Sequence, residues 1–233
     1  MELSSILRNG QAKPVIRPDL LDELHQTWQL LGFDHEQPAI VIVGGASGMT
    51  DEDILKVQKF FEDHLIPFVG RKQAAIIDGG TDSGVMASIG RARQVTGQDF
   101  PLIGVAARDI ENIETRLEPH HSHFILCPGD HWGDESEWIA ASARALSGSL
   151  ASVAIMINGG QIAWEDARFN IQHDNPVLVA EGSGRTADVI ATTSTLNAFE
   201  PKAIALLRTG KVHVANFFKD PAGFIEKMNE LMQ

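Results

Sequence analysis

The chain has 233 residues, 43% of them hydrophobic, with 19 Lys and Arg against 31 Asp and Glu for a net charge of -12. Size scaling lets such a chain bury roughly 70 to 75% of its unfolded surface around one core, whereas its acidic balance argues against nucleic acid as a main partner, because such binders need a basic face. The single cysteine, Cys127, excludes an intrachain disulfide and any multi-cysteine metal centre. No apolar run approaches a bilayer span and the first residues lack a signal-peptide pattern, so a cytoplasmic protein without membrane insertion is expected.

Residues 1–17 carry little pattern and read as an N-terminal extension, with a short edge strand at 14–17 as their only feature, ahead of a single domain over 18–233. Leu20, Leu21, Leu24, Trp28 and Leu31 recur at helical spacing, with Asp19 as the expected N-cap and Gly32 as the stop. Residues 39–43 form a continuous β-branched run, the signature of a strand buried on both faces and hence of a parallel sheet. A helix follows over 50–64, where Thr50 and Asp53 resemble a capping box and Pro67 closes the unit. The alternation continues with a strand at 74–77, a helix at 83–95 and a strand at 101–106. The charged, histidine-rich stretch 107–122 reads as a long loop over the sheet edge, of the kind that acts as a lid.

Further strands are expected at 123–127, 152–157, 177–180 and 212–215, with helices over 135–146, 161–172, 185–193, 201–208 and 218–232. Seven apolar strands separated by helices imply an α/β fold, a Rossmann-like doubly wound three-layer sandwich with a mainly parallel sheet, whose ligands bind outside the carboxyl ends of the strands.

Four strands run directly into glycines: Gly44 and Gly45, Gly79 and Gly80, Gly159 and Gly160, and Gly182 and Gly184. One glycine pair can serve only to turn the chain. Four at the same sheet edge favour a shared pocket, although the pattern is neither the dinucleotide fingerprint nor a P-loop. Arg185 follows the last glycine at a helix start, where a cation is unfavourable unless an anion lies beside it. Asp188 and Glu181 could each hold a ribose hydroxyl or simply face solvent. Strand alternation would put His121 and His123 on one face and His120 on the other, and two histidines make no zinc site, so no metal is expected. Cys127 is read as a small buried hydrophobe, and Met86 and Trp164 as core or pocket wall. Glu135 and Glu137 are acids at a helix start, where the helix dipole alone favours them and where a hydrolase could also use them.

Several segments carry a family resemblance in chain order: Trp28, the run from Ala39 into Gly44 and Gly45, Asp78 through Met86, His121 through Leu126, Asn158 through Gly160, and Glu181 through Ile190. Together they resemble the amino-terminal SLOG domain of melastatin-type TRP channels and its prokaryotic relatives. The resemblance implies a nucleotide-derived ligand, ADP-ribose or a related phosphorylated ribonucleotide, that is sensed without catalysis and with no further cofactor. It implies ligand contacts at Gly44, Gly45, Ala46, Gly79, Gly80, Thr81, Gly84, Val85, Met86, Gly159, Gly160, Glu181, Gly182, Ser183, Gly184, Arg185 and Asp188, with His123 and Arg144 as further candidates. Arg185 stands where the family's phosphate-binding arginine stands. Glu135 stands where some channel members have an aromatic contact, and Ser142 where they have a second arginine.

The chain is also similar, more distantly, to the Lonely Guy phosphoribohydrolases. Pro128, Gly129, Gly133 and Glu137 only partly match their motif, which lowers the alternative of an N-glycosidic hydrolase using Glu137 or Glu135. The reading leaves room for a homodimer and for a separate effector protein.

Overall fold

The structure, a computed structural model, describes residues 1–45, 48–196 and 199–233. Its strands are β1 (Ser4–Arg8), β2 (Gln11–Ile16), β3 (Ala39–Gly44), β4 (Ala75–Asp78), β5 (Leu102–Ala107), β6 (His123–Cys127), β7 (Ser152–Ile157), β8 (Val177–Glu181) and β9 (Val212–Asn216). They form one sheet in the order β1-β2-β6-β5-β4-β3-β7-β8-β9, parallel except between β1 and β2. The helices are α1 (Leu24–Leu30), α2 (Asp51–Phe60), α3 (Ile66–Lys72), α4 (Gly84–Thr96), α5 (Ile113–Arg116), α6 (Ser136–Ser147), α7 (Ile162–Gln172), α8 (Arg185–Leu196), α9 (Pro201–Leu207) and α10 (Pro221–Leu231).

The three layers follow from period-two alternation inside continuously apolar strands. In β3, Ala39, Val41 and Val43 face a core built with α1, α6, α7, α8 and α9. Ile40 and Ile42 face a second core built with α2, α3, α4 and α10. In β7, Ala154 and Met156 join the first core, and Val153, Ile155 and Ile157 the second. The expected α/β sandwich and its seven strands, β3 to β9, are present.

The differences have local causes. Residues 4–16 form a hairpin whose β2 pairs in parallel with β6, Val15 beside Phe124. Its two-residue turn is Asn9 (φ 49) and Gly10 (φ 75), the positive-φ pair that a twisted hairpin requires.

Pro67 does not end the second helix. A wide π-type turn at Phe61–Leu65 passes the chain into α3, where Pro67 occupies the first turn and its missing N–H has no intrahelical partner to lose. Helical packing through this junction buries Phe61, Leu65, Ile66, Phe68 and Val69, and the run stops at Gln73 (φ 52).

Asp19 is not a cap. Its carboxylate pairs with Arg108 at 2.7 Å, while the Glu23 carboxylate accepts the backbone N–H of Asp19 and Leu20. The Thr50 cap is present, its Oγ1 accepting the Asp53 N–H at 3.1 Å.

Candidate functional site

The sheet order reverses between β3 and β7. From β3 the chain builds β4, β5 and β6 to one side, then returns to lay β7 along the other, Gly44 opposite Ile157. In an open parallel sheet the carboxyl edge at such a reversal is a crevice, since the following loops diverge to opposite sides. A cavity of about 420 Å³ lies there, within the ordinary range for small-ligand pockets. Gly44 is dictated by close approach, because a Cβ at that position would sit 2.4 Å from the Ile157 carbonyl oxygen.

Three long helices begin at this cavity. Ser83 and Met86 of the α4 start, Gln161 to Ala163 of the α7 start, and Arg185, the first residue of α8, all line it. Helix starts present N–H groups and a positive dipole end, so the wall suits an anion. The Arg185 guanidinium lies against Gly48 and Gly160, where added Cβ atoms would sit 2.9 and 3.1 Å from its terminal nitrogens. Arg185 has φ 49, an unfavourable conformation for a long side chain, which marks a position fixed by its surroundings.

Those surroundings are a buried polar knot. The Asn158 backbone N–H donates to Ser183 Oγ at 2.8 Å, its side-chain amide to Ser183 O at 2.8 Å, and Thr186 Oγ1 to Gly160 O at 3.0 Å. The knot ties the β7 turn to the β8 turn.

Of the residues singled out in the sequence, Gly44, Gly79, Thr81, Met86, Glu135, Gly160 and Arg185 line the cavity. Gly45, Gly80, Gly84, Val85, Gly159, Ser183 and Gly184 do not line it. Val85 packs under Gly44, Gly80 packs on Gly104, and the Gly80 N–H is taken by Asp78 Oδ1 at 2.7 Å. Glu181, Gly182 and Asp188 open onto a neighbouring cleft of about 310 Å³ with Asn216, Phe218 and Lys219, where Asp188 accepts the Gly182 N–H at 2.7 Å. Ala46 lies outside the described residues.

The structure does not bring His123, Arg144 or Glu137 to the cavity. His123 begins β6, at the opposite edge of the sheet, against the Phe33 ring. Burial, with Arg93 and Lys13 nearby, holds its pKa down at about 4. Arg144 lies in the last turn of α6, and Glu137 faces His173 at 3.6 Å on the outer surface.

Sequence reading missed Ser83, Trp132, Ile139, Gln161, Ile162, Ala163 and Asp166. Asp166 had a legible signal, a carboxylate between Ala163 and Ala167 on the buried face of α7. Trp132 did not, since an aromatic in a polar loop has no periodicity. It stands 46% exposed at the cavity mouth, with the Arg116 guanidinium 5.9 Å from its ring centre.

Asp166 and Glu135 give the cavity an acidic region. Asp166 is buried, and Ser136 Oγ donates to its Oδ1 at 2.6 Å. Burial, supported by the charges of Glu135 and Glu165, pushes the Asp166 carboxyl up to about 7. Burial also raises Glu135, although the Gly133 N–H donates to its Oε2 at 2.9 Å. Cys127 is a core thiol, pushed up to about 12 chiefly by burial.

Behind the Gly79 turn lies a second buried group. His121 Nε2 meets Asp78 Oδ1 at 2.8 Å and its Nδ1 meets Glu118 Oε2 at 2.8 Å, with all three side chains out of solvent. Burial opposes charge on His121, but the two carboxylates outweigh it and hold its pKa at about 9. Glu118 is held below the ordinary range, its burial overcome by His121 and His120.

His121 precedes β6, so strand alternation does not govern it. Stretch 107–122 is likewise no free lid. Glu118 donates its N–H to Gly80 O at 2.8 Å, and Leu117 bridges to Thr81. Among the described residues, the ligating atoms of Asp130, His131 and Asp134 lie within 4.8 Å of one another. All three are exposed, and Asp134 Oδ2 already accepts the N–H of Asp130 and His131.

Comparison with known proteins agrees with this architecture. A family model described as "SLOG in TRPM, prokaryote" matches residues 37–225. The chain is 28% identical over 217 residues to mouse transient receptor potential cation channel subfamily M member 2, covering 72% of this chain. The rat protein of the same name is 27% identical over the same coverage. The chain spans only 14% of the length of each of these relatives.

Among solved structures, the molybdenum cofactor carrier protein of Chlamydomonas reinhardtii superposes with a TM-score of 0.57 at 17% identity, covering 84% of this chain and 98% of that one. The molybdenum cofactor binding protein of Rippkaea orientalis superposes with a TM-score of 0.60 at 14% identity, covering 85% and 99%. At such identities the likeness is one of fold.

Proposed function

Because the chain belongs to the prokaryotic SLOG-in-TRPM family, its matched region covering residues 37–225, we propose that it binds and senses a phosphorylated ribonucleotide of the ADP-ribose class in the crevice between β3 and β7. The observation that carries this reading is the convergence of three helix starts and Arg185 on one cavity. The phosphates take the helix-start N–H groups and the Arg185 fork. The base takes the apolar part of the slot, between Ile42, Val43, Met86, Ile139 and Ala163, with Trp132 at its mouth.

Two structural neighbours are named for carrying or binding the molybdenum cofactor. A cleft for a small organic ligand is therefore at home on this fold. Sensing is favoured over bond breaking because the hydrolase motif is only partly matched and Glu137 lies outside the cavity; Glu135 lines it, with its Oε2 taken by the Gly133 N–H. We further place the protein in the cytoplasm, where a lone buried thiol is chemically undemanding. Among the described residues, no helix is long and apolar enough to cross a membrane.

Calorimetry with ADP-ribose is expected to show saturable binding, weakened about tenfold or more in Arg185→Ala through loss of a charge-assisted hydrogen bond. Absence of binding at millimolar ligand would refute the reading. Release of free base from AMP, NAD or ADP-ribose during incubation would replace it with N-glycosidic hydrolysis.

A further inference from the structure

We propose that Asp166 is the specificity-determining residue of this cavity: it reads the ring-nitrogen edge of the ligand's base, favouring adenine while it carries a proton and guanine once it has lost it. The inference rests on the ribonucleotide reading above and adds the identity of the group that selects the base.

Asp166 lines the cavity although only 8% of its surface is exposed. Ser136 Oγ donates to its Oδ1 at 2.6 Å, which fixes the carboxyl plane and leaves any proton on Oδ2. Oδ2 takes no hydrogen bond among the described residues. Asp166 is a cavity-lining residue and its Oδ2 is not among the sealed, unpartnered polar atoms, so this oxygen is open to the polar edge of a ligand in a largely water-excluded wall.

The two purines present opposite polarity at the same atom. Adenine N1 is an acceptor and its neighbour N6 a donor, whereas guanine offers N–H donors at both N1 and N2. A protonated Oδ2 donates to adenine N1 and collides with the guanine N–H only through its own hydrogen. An ionised Oδ2 accepts from guanine and repels the adenine lone pair. Exchange of one partner for another of the wrong polarity at a buried polar site is what makes hydrogen-bonded selection steep.

The proton on Asp166 is exchangeable near neutral pH, because burial holds the carboxyl up at about 7. The charged groups around it are Glu135 ahead of α6, Glu165 on its own helix, and Arg185 across the cavity. Glu137 on α6 is turned to His173, and Lys202 on α9 lies over the Trp164 ring. Of the adjoining strands, β3 and β7 bring no charged side chain and β8 brings only Glu181 at its end. Burial, Glu135 and Glu165 favour retention of the proton, and the Ser136 hydrogen bond opposes it.

The test compares ADP with GDP, two ligands with the same phosphates and ribose, by calorimetry at pH 6 and pH 8. Phosphate protonation and the Arg185 contact are common to both and cancel in the ratio of their dissociation constants. For the natural sequence, the preference for ADP over GDP is expected to fall about tenfold between pH 6 and pH 8. Asp166→Asn imitates the protonated acid, since Ser136 keeps its amide oxygen in place and turns its NH₂ toward the base. This variant is expected to keep the pH 6 preference at both pH values.

A purely structural role for Asp166 would change both affinities together and leave their ratio flat. A flat ratio in the natural sequence overturns the proposal while leaving nucleotide binding intact, and so does the same pH dependence in Asp166→Asn. Should the variant not fold, the ratio in the natural sequence decides alone. Failure of both nucleotides to bind at millimolar concentration overturns the ribonucleotide reading and this inference with it.

Discussion

His121 holds a charged position that few side chains could replace. An imidazolium between the Asp78 and Glu118 carboxylates satisfies two buried anions with one cation, and removing it leaves them facing each other out of solvent. His121→Phe is expected to cost about 3 to 5 kcal/mol in urea unfolding, the usual penalty for one partner lost from a buried ionic group. The pH dependence follows from the direction of the shift. Because the folded pKa of about 9 lies above the ordinary 6.5, the stabilisation is complete below about pH 6.5 and is lost as pH rises through about 9. Unfolding midpoints measured from pH 6 to 9.5 are expected to fall across that window in the natural sequence, and the His121→Phe variant should show less of the fall. Asp78 leads directly into Gly79 and Glu118 is bonded to Gly80, so the turn beside the cavity is the first local structure to loosen.

At the scale of elements, β3 and β7 approach so closely that only glycine fits at position 44. Gly44→Ala would drive a methyl to 2.4 Å from the Ile157 carbonyl and 2.9 Å from Val85, neither of which has room to retreat. A loss of about 1 to 3 kcal/mol is expected, measurable as a lowered thermal midpoint, with weaker nucleotide binding because the cavity wall itself shifts. A midpoint equal to the natural one would show that the two strands can part.

Elements of this kind were legible wherever one period or one turn residue dominated. The apolar runs of β3 and β7 could only be strands buried on both sides, and the glycines after them could be placed at one edge. The hairpin was legible in principle from Asn9 and Gly10, but its strands mix Ser, Arg, Gln and Lys with a few apolar residues and so show no clean alternation. The π-type turn at Phe61–Leu65 was hidden because Pro67 looks the same whether it ends one helix or begins the next. Trp132 was hidden for another reason, since its role arises from segments that meet only in space, whereas Asp166 could have been found as a carboxylate on the apolar face of α7.

For the whole molecule, the net charge of -12 and the anion-facing wall of the crevice, formed by Arg185 and the helix starts, act at different ranges. The global field repels an anionic ligand at a distance, while Arg185 and the helix starts attract it at contact. Salt separates the two, because the Debye length shrinks from about 30 Å at 0.01 M to about 10 Å at 0.1 M. The association rate for ADP-ribose is therefore expected to rise with salt, opposite to the behaviour of a basic binder, and stopped-flow mixing at the two ionic strengths measures it directly. A rate that falls with salt would mean that the crevice dominates the approach.

The reversal of strand order also governs how the molecule comes into being. Ile40 finds its partner Val153 only after β4, β5 and β6 have been made, so a growing chain carries β3 with one side unpaired until β7 has been added. Pairings so distant in sequence form slowly, and an open apolar strand invites association with other chains meanwhile. The crevice is thus absent from nascent intermediates that lack β7, α7 and the start of α8. A ligand that occupies it can rescue a finished protein from unfolding, but it has nothing to hold until those elements have been made.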